Sequence, residues 1–390
     1  MLGNHLSKFS IGACWRALPA LRLGLALAIA GSVTVGLLAQ SASAEAIKPK
    51  NGSKYVIGWS FHNDPLNEFW KLFIESMTAT FEAGGADVIF CSGQGDASKQ
   101  ADCVDQFLAQ NVDAMVIAST DSSAIVGPIQ KANAAGIPVA LWGNGVPASG
   151  GAEVIMTSVT GDKEAGAGAG QAILDALIAK NGAPKGKVLE VQGLMTMTLA
   201  QDRSAGLHSV LDAYPDIVVT AKSADWDTGK ATTIIQDWLT ANADADAIWF
   251  ASDANYTPAA KAALTSMGRW VKAGEEGHVV LAGMDGSNMA VNAAKCGYMD
   301  YVADFTFPKL SPVLAEQVLQ YLNTGATAAV GDTVAVTGST ITGVPVIARP
   351  ELAGPVLSIP IYGVTKETAA DPLLFANAYQ SEPNGMTACE

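Results

Sequence analysis

Short apolar runs alternate with longer amphipathic segments along most of the chain. Apolar strands that alternate with helices are typical of parallel sheets covered on both faces. The pattern therefore predicts an α/β protein with doubly wound parallel sheets. The predicted strands are Tyr55 to Trp59, Ala86 to Phe90, Ala114 to Ala118, Val139 to Leu141, Val188 to Val191, Ile217 to Thr220, Ala247 to Phe250, Val279 to Ala282 and Tyr301 to Ala303. The helical patterns between them include Glu68 to Phe81, Ser122 to Ala135, Lys163 to Ala179, Lys230 to Ala241, Ser287 to Ala294 and Pro308 to Leu322.

The same pattern occurs twice in the chain. The segment VDAMVIAS at 112–119 returns as ADAIWFAS at 245–252, an offset of 133 residues, and the strand openings Lys54 and Lys187 are separated by the same distance. Two similar βαβα halves follow, each able to form one lobe. Ligands of open α/β sheets bind beyond the carboxyl ends of the strands, so we expect a binding cleft between the two lobes.

The first 44 residues have the pattern of an export signal. Basic residues precede an uncharged apolar run from Leu23 to Leu38, and Ala42-Ser43-Ala44 forms a small-residue cleavage pattern. The run is shorter than the ~20 residues that a membrane-spanning helix needs. We therefore expect cleavage near Glu45 and a periplasmic location; an uncleaved membrane anchor is the alternative.

The remaining chain is long and acidic. It holds about 346 residues, more than one hydrophobic core usually contains, which favours two lobes. The whole chain has a formal net charge of −14, and removal of the signal takes away three cations and no anion. No basic run remains, so the composition argues against a nucleic-acid partner.

Four cysteines remain after the predicted cleavage. An even number in an oxidising compartment indicates two disulfides, and we predict the pairs Cys91–Cys103 and Cys296–Cys389. Free buried thiols are the alternative. A metal site is disfavoured because neither a CxxC spacing nor a nearby histidine accompanies these cysteines.

Several motifs resemble the type I periplasmic binding proteins, the ribose- and galactose-binding group. The segments ASTDS at 118–122 and ANAAGIPV at 132–139 are similar to the first lobe of that family. Asn67-Glu68-Phe69-Trp70 resembles the family's Asn-Pro-Phe-Phe at the start of the first helix, and the segment GMDG at 283–286 resembles its Gly-Phe-Asp-Gly turn. The resemblance covers roughly residues 52–325 and fits the last 65 residues poorly.

The resemblance implies two lobes joined by a hinge of several crossings. It predicts crossings near 157–160, near 304–306 and somewhere in 335–350. The first lobe would comprise 52–157 plus about 306–340, and the second 158–304 plus about 345–390. Such lobes close around a ligand by a hinge motion.

The resemblance also implies a function without chemistry. We expect a monomeric binding component of an ATP-driven (ABC) importer that takes a sugar or polyol to a membrane permease, with no cofactor. A periplasmic sensory receptor for chemotaxis or signalling is the alternative. An exported hydrolase that uses Asp285 or Asp304 is a second alternative. It is less favoured because no GxSxG, P-loop or HExxH motif occurs.

Candidate ligand-binding residues lie near strand ends and at helix starts. Carboxylates and amides hydrogen-bond a polyhydroxylated ligand, while aromatic faces pack on its C–H surface. The polar candidates are Asn67, Asp121, Asn144, Gln201, Arg203, Asp253, Asp285 and Asp304. The aromatic candidates are Phe61, Phe69, Trp70, Trp142 and Trp226.

Some candidates have a structural alternative. A helix N-cap would account for Asp121 and Asp253, a hinge hydrogen bond for Asp304, and a position capping the sheet for Trp142. Of Phe69 and Trp70, we expect one to contact the ligand.

The predicted cleft departs from the family in its cations. Where sugar binders carry an Asp-Arg pair and a further Arg, this chain has Gly143-Asn144 and Gln201, although Arg203 is close enough to reach. Few cations beside several carboxylates disfavour an anionic ligand, and an amine-bearing ligand stays open.

A glycine-rich segment invites a nucleotide-binding interpretation. Gly166, Gly168 and Gly170 alternate with alanine, but they lie inside a helical pattern and not in a turn after a strand. Close helix packing is the better account.

Overall fold

The computed structural model describes residues 46–378. The predicted export signal and Cys389 lie outside these residues. Within 46–378, no helix is both long enough and apolar enough to cross a bilayer.

All nine predicted apolar runs form strands, which confirms the α/β assignment. The strand β5 and the short strands after residue 330 were not predicted. The strands are β1 (Tyr55–Phe61), β2 (Ala86–Ser92), β3 (Ala114–Ile117), β4 (Val139–Trp142), β5 (Met156–Thr160), β6 (Gly186–Gln192), β7 (Ile217–Ser223), β8 (Ala247–Phe250), β9 (Val280–Asp285), β10 (Tyr301–Asp304), β11 (Thr333–Ala335), β12 (Gly343–Ile347), β13 (Val356–Ile359) and β14 (Tyr362–Val364). The helices are α1 (Glu68–Ala83), α2 (Ala97–Ala109), α3 (Val126–Ala134), α4 (Asp162–Asn181), α5 (Thr198–Leu211), α6 (Thr228–Ala241), α7 (Asp253–Ser266), α8 (Asn288–Cys296), α9 (Phe307–Thr324) and α10 (Phe375–Ala378).

The strands form two sheets, one for each lobe. The first has the order β11-β12-β13-β5-β4-β3-β1-β2, and the second has the order β14-β10-β9-β8-β6-β7. Pairing is parallel except at the edges, where β11, β12 and β14 run antiparallel to their neighbours. The two central strands β3 and β8 are buried along their whole length, as expected for strands covered by helices on both faces.

The internal repeat of the sequence is a repeat of topology. From β13 to β2 the first sheet has the same strand order as the second sheet has from β14 to β7. The repeated segments contain β3 and β8, which occupy equivalent positions between their neighbours. The residues that follow equivalent strands can therefore be compared directly.

The chain passes between the sheets three times. It leaves the first sheet after Thr160, returns after Asp304 through α9, and leaves again between Ile359 and Tyr362. The third passage comes later than the expected 335–350. The reason is that β12 and β13 extend the first sheet, with β13 pairing in parallel with β5. The first lobe thus includes residues up to 359, and the second takes up the chain only from β14.

Helices α4 and α5 of the second lobe are packed backbone against backbone. A Cβ on Gly166 would lie 2.1 Å from the carbonyl oxygen of Arg203, and one on Gly206 would lie 2.1 Å from that of Lys163. Any larger residue at either position would separate the helices. The glycine-rich segment is therefore explained by close helix packing.

The first predicted disulfide is present. Cys91 on β2 and Cys103 on α2 are bonded, with 5.8 Å between their Cα atoms. Cys296 is disulfide-bonded as well. Because Cys389 lies outside the described residues, its pairing with Cys296 stays a prediction.

Candidate functional site

A cavity lies between the lobes, where the carboxyl ends of both sets of strands meet. Counted to its opening to solvent, the empty space between the lining residues is about 310 Å³. The first lobe contributes His62, Trp70 and Trp142. The second lobe contributes Met197, Leu199, Arg203, Trp226, Ser252 and Asn255.

The first-lobe wall of the cavity is an aromatic cluster. The ring of Trp142, at the end of β4, lies 4.5 Å from Phe73 and 5.2 Å from Phe307, centroid to centroid. Trp70 and Phe61 pack against it at 6.2 and 6.0 Å. Phe61 is almost completely buried beneath the wall. These contacts hold the rings of the two lining tryptophans in fixed positions.

Helix α1 begins at a residue that also reaches the other lobe. The side-chain oxygen of Asn67 accepts a hydrogen bond from the Trp70 backbone N–H at 3.0 Å and so caps the helix. Its amide nitrogen donates to Oδ1 of Asn255 at 2.9 Å. Asn67 therefore fixes Trp70 and connects the two lobes beside the cavity.

Arg203 of α5 is the buried cation of the second-lobe wall. Its Nε donates to Asp162 at 2.7 Å, and its Nη1 donates to Asp285 at 3.1 Å and to the Ala251 carbonyl. The guanidinium also lies 5.3 Å from the Phe305 ring centroid and 5.9 Å from that of Trp226. Two carboxylates and two aromatic faces thus compensate its charge inside the protein.

Trp226 is held in an uncommon backbone conformation. Its φ is 63°, a left-handed value that is rare for a bulky residue. Its N–H donates to the Tyr256 hydroxyl at 2.9 Å, and its ring lies where a Cβ on Gly193 would be, only 1.9 Å from a ring carbon. The strained backbone and the adjacent glycine together aim this ring at the cavity.

A third buried carboxylate, that of Asp304 at the end of β10, lies next to Asp285 at the end of β9. Asp285 and Asp304 are paired in the sheet register, and both are fully buried. Burial raises the pKa of Asp285 to about 6, although the Arg203 guanidinium acts in the opposite direction. Burial raises the pKa of Asp304 to about 7. The Thr306 N–H donates to Oδ1 of Asp304, whereas Oδ2 has no partner among the described residues.

Hydrogen bonds also join the lobes away from Asn67. Asn144 accepts from the Leu199 backbone N–H at 3.1 Å. The Thr196 hydroxyl donates to the Thr120 carbonyl at 3.1 Å. These contacts assign Asn144, a predicted ligand residue, to the lobe interface.

Five predicted site residues have other roles in the structure. The Asp121 carboxylate accepts from the N–H groups of Ser123 and Ala124 and so closes the turn before α3, whose N-cap is Ile125. Asp253 does not cap its own helix. It accepts from the N–H groups of Gly286 and Ser287 at 3.0 Å and so fixes the turn after β9.

The other three residues have structural contacts as well. Phe69 packs on Phe375 of the second lobe, with 5.8 Å between ring centroids. Gln201 donates to the Met195 carbonyl. Phe61 lies beneath the cavity wall and not on it. Of the pair Phe69 and Trp70, only Trp70 lines the cavity.

Trp70, Trp142, Arg203 and Trp226 are the predicted residues that the fold brings to the cavity. Five lining residues were not among the candidates. Ser252 donates to Asp285 and could have been found from the repeat, because it is equivalent to Ser119 after β3. The others carry no pattern that distinguishes them from ordinary loop or helix residues. They are His62, Met197, Leu199 and Asn255.

Two lobes of parallel strands, three chain passages and an aromatic cavity between the lobes define a two-lobed, cleft-type binding protein. The family model for the periplasmic binding protein domain matches residues 57–327. The chain belongs to this family, which implies a periplasmic location.

Similar proteins include several import binding proteins. The ribose import binding protein of Bacillus subtilis is 30% identical over 253 residues, which are 64% of this chain and 76% of that protein. The D-apiose import binding protein of Paraburkholderia graminis is 28% identical over 263 residues, 67% of this chain and 79% of its own. An ABC transporter periplasmic solute binding protein of Actinobacillus succinogenes, solved with bound D-allose, has a TM-score of 0.66 at 23% identity and covers 82% of this chain and 100% of its own. This last likeness concerns the fold.

Proposed function

We propose that this protein is the solute-binding component of an ABC importer and that it carries a neutral sugar or polyol in the cavity between its lobes. The observation that carries the proposal is the composition of the cavity wall. Three tryptophans, Trp70, Trp142 and Trp226, surround a small number of polar groups. Aromatic faces pack on the C–H surface of a sugar ring, and the polar groups bind its hydroxyls.

The charges of the site favour a neutral ligand. Among residues 46–378, Arg203 is the only cation in the cavity lining, and its guanidinium is already paired with Asp162 and Asp285. An anion would have to compete with these buried carboxylates.

Relatives and the sequence support the transport role. Two related proteins are named for the import of ribose and D-apiose. The predicted export signal at 1–44 fits a protein that meets its solute outside the cytoplasmic membrane. The hydrogen bond that Asn67 donates to the second lobe and the one that Asn144 accepts from it would stabilise a closed form that delivers its ligand to a permease.

A ligand screen tests the proposal. The mature protein is titrated calorimetrically with pentoses, hexoses, pentitols and inositols, and with amino acids, organic acids and amines as the comparison set. A ligand at 100 times its dissociation constant should also raise the free energy of unfolding by about 2.7 kcal/mol. We expect binding within the first set. Binding confined to charged compounds would overturn the proposal.

A matched pair of tryptophan variants locates the binding site. Trp226→Ala should weaken binding of the best ligand by at least about 10-fold, because it removes a ring from the cavity wall. Trp270→Ala is the control, since that ring stacks on Tyr298, lies in the same lobe and is not part of the cavity lining. Equal effects of both variants would contradict the proposed site.

A further inference from the structure

His62 is held rigidly at the first-lobe side of the cavity. It follows β1 directly, and its carbonyl accepts hydrogen bonds from the Gly95 N–H at 2.8 Å and the Thr120 hydroxyl at 3.3 Å. Its ring lies 4.2 Å from that of Phe61, centroid to centroid, and forms part of the lining. Both the backbone and the ring plane are therefore fixed before any ligand binds.

One nitrogen of the imidazole nevertheless lacks a hydrogen-bond partner among residues 46–378. Its Nδ1 is buried, and no described residue lies within hydrogen-bonding distance of it. A buried polar atom without a partner is costly, and such atoms are uncommon in folded proteins. Since His62 lines the cavity, a bound ligand can supply the missing partner.

The charge state of the ring restricts what that partner can be. Burial and the nearby Arg203 guanidinium lower the pKa of His62 to about 3, so the ring is neutral at physiological pH. A neutral imidazole has one N–H donor and one acceptor nitrogen. A hydroxyl group can both donate and accept, so it satisfies either nitrogen. A carboxylate can only accept, and an ammonium group can only donate.

We propose that His62 forms a hydrogen bond with one hydroxyl group of the ligand and determines which hydroxyl pattern the cavity accepts. This inference rests on the proposed function and adds a residue that contacts the ligand directly and contributes to specificity. Trp70, Trp142 and Trp226 recognise ring surface, which most sugars share. A hydrogen bond from a rigid side chain to one hydroxyl distinguishes sugars that differ only at that position.

A thermodynamic cycle between protein and ligand tests this role. The best sugar or polyol of the screen and its complete series of monodeoxy analogues are titrated into the wild type, His62→Ala and His62→Gln. We expect His62→Ala to weaken binding of the parent compound about 10-fold. Relative to the parent compound, one analogue should bind about 10-fold more weakly to the wild type but less than about 3-fold more weakly to His62→Ala. For each of the other analogues, the loss of affinity should be the same with both proteins.

Two variants separate this role from a structural one. His62→Gln retains a donor and an acceptor, so it should bind the parent compound more tightly than His62→Ala does. It should show no such gain for the analogue that lacks the hydroxyl bound by His62. His208→Ala is the control, because His208 bonds Asp212 and Glu190 of the second lobe and is not in the cavity lining. It should leave every titration unchanged.

The outcomes distinguish the two levels of the argument. If the loss of affinity relative to the parent compound is the same for the wild type and for His62→Ala with every monodeoxy analogue, the inference about His62 is wrong. Sugar binding itself then still stands. If the wild type binds no polyhydroxylated compound, the proposed function fails and this inference fails with it.

Discussion

The two lobes share one topology but differ in their cavity walls, because only the second-lobe wall combines an aromatic ring, Trp226, with a buried cation, Arg203. In the first lobe, Trp70, Trp142 and their neighbours build a continuous aromatic cluster. In the second, Arg203 is paired with Asp162 and Asp285. An aromatic wall excludes water and tolerates many orientations of a ligand, whereas charged hydrogen bonds depend on direction. In the proposed complex, the first wall would therefore provide mainly contact area, and the second would also orient the ligand.

The difference is concentrated where equivalent strands end. Ser119 after β3 and Ser252 after β8 are equivalent in the repeat and both are buried. The Ser252 hydroxyl donates to Asp285, but the Ser119 hydroxyl has no partner among residues 46–378. One step further along each sheet, β4 ends in Trp142 and β9 ends in Asp285. The two walls therefore differ because of a few residues at the carboxyl ends of equivalent strands, although the strands themselves have the same arrangement.

The largest effect should come from the aromatic wall. Trp142→Ala removes a ring that is 4% exposed and packs on Phe73 and Phe307, so we expect a loss of about 3–5 kcal/mol in the free energy of unfolding. Urea-induced unfolding of the ligand-free protein measures it. Trp226→Ala is the counterpart in the other wall and should cost clearly less stability, because the Trp226 ring is only partly buried. Equal losses would remove the distinction between the walls.

The second-lobe wall, called the ionic wall because Arg203 is paired there with Asp162 and Asp285, should lose stability when its cation is removed. Arg203→Met leaves Asp162 and Asp285 buried without their cation, and we expect a loss of about 3 kcal/mol at pH 8. The loss should shrink toward pH 5, because both carboxyls can then bind protons, whereas the loss in Trp142→Ala should not depend on pH. Arg349→Met is the control, since its pair with Asp202 is about one-third exposed and should contribute less than about 1 kcal/mol. A pH-independent loss in Arg203→Met would contradict this assignment.

Asp304 in the second lobe should have a smaller effect, on the pH dependence of the free energy of unfolding. An acid with a higher pKa in the folded than in the unfolded state binds more protons when folded, so the free energy of unfolding falls as pH rises between the two values. With a folded pKa of about 7, Asp304 should lower stability by roughly 2–3 kcal/mol between pH 5 and pH 8. Asp304→Asn should remove this part of the pH dependence in thermal unfolding measured across that range. An unchanged slope would mean that Asp304 is not the group that titrates.

The sequence was sufficient for the scaffold. Apolar runs long enough to be buried on both faces predicted nine strands correctly, and the repeat predicted two lobes. β5 was missed because its sequence, MTSVT, carries three hydroxyl side chains. β11, β12 and β14 have at most two buried residues each, so they contain no continuous apolar run. Without β12 and β13, the third passage between the lobes was expected too early.

The site was predicted only in part. Aromatic residues near strand ends proved informative, because Trp70, Trp142 and Trp226 all line the cavity. Carboxylates were less so, since Asp121 binds backbone N–H groups of its own turn and Asp253 binds those of the distant turn after β9, a contact that the sequence did not reveal. A short polar side chain after a strand serves a turn as readily as a ligand, and tertiary contacts decide between the two.

The backbone contact between α4 and α5 has a practical consequence for redesign. Gly166 and Gly206 leave no room for side chains, so the distance between Asp162 on one helix and Arg203 on the other is set by the main chain. Mutations in the ionic wall would thus have to preserve a fixed helix spacing. In the aromatic wall, side-chain packing and not the main chain sets the positions of the rings, so substitutions there would have to conserve volume. An effort to retarget this protein to a new solute, for example as a biosensor, should keep the second lobe intact and vary Trp70 and His62 first.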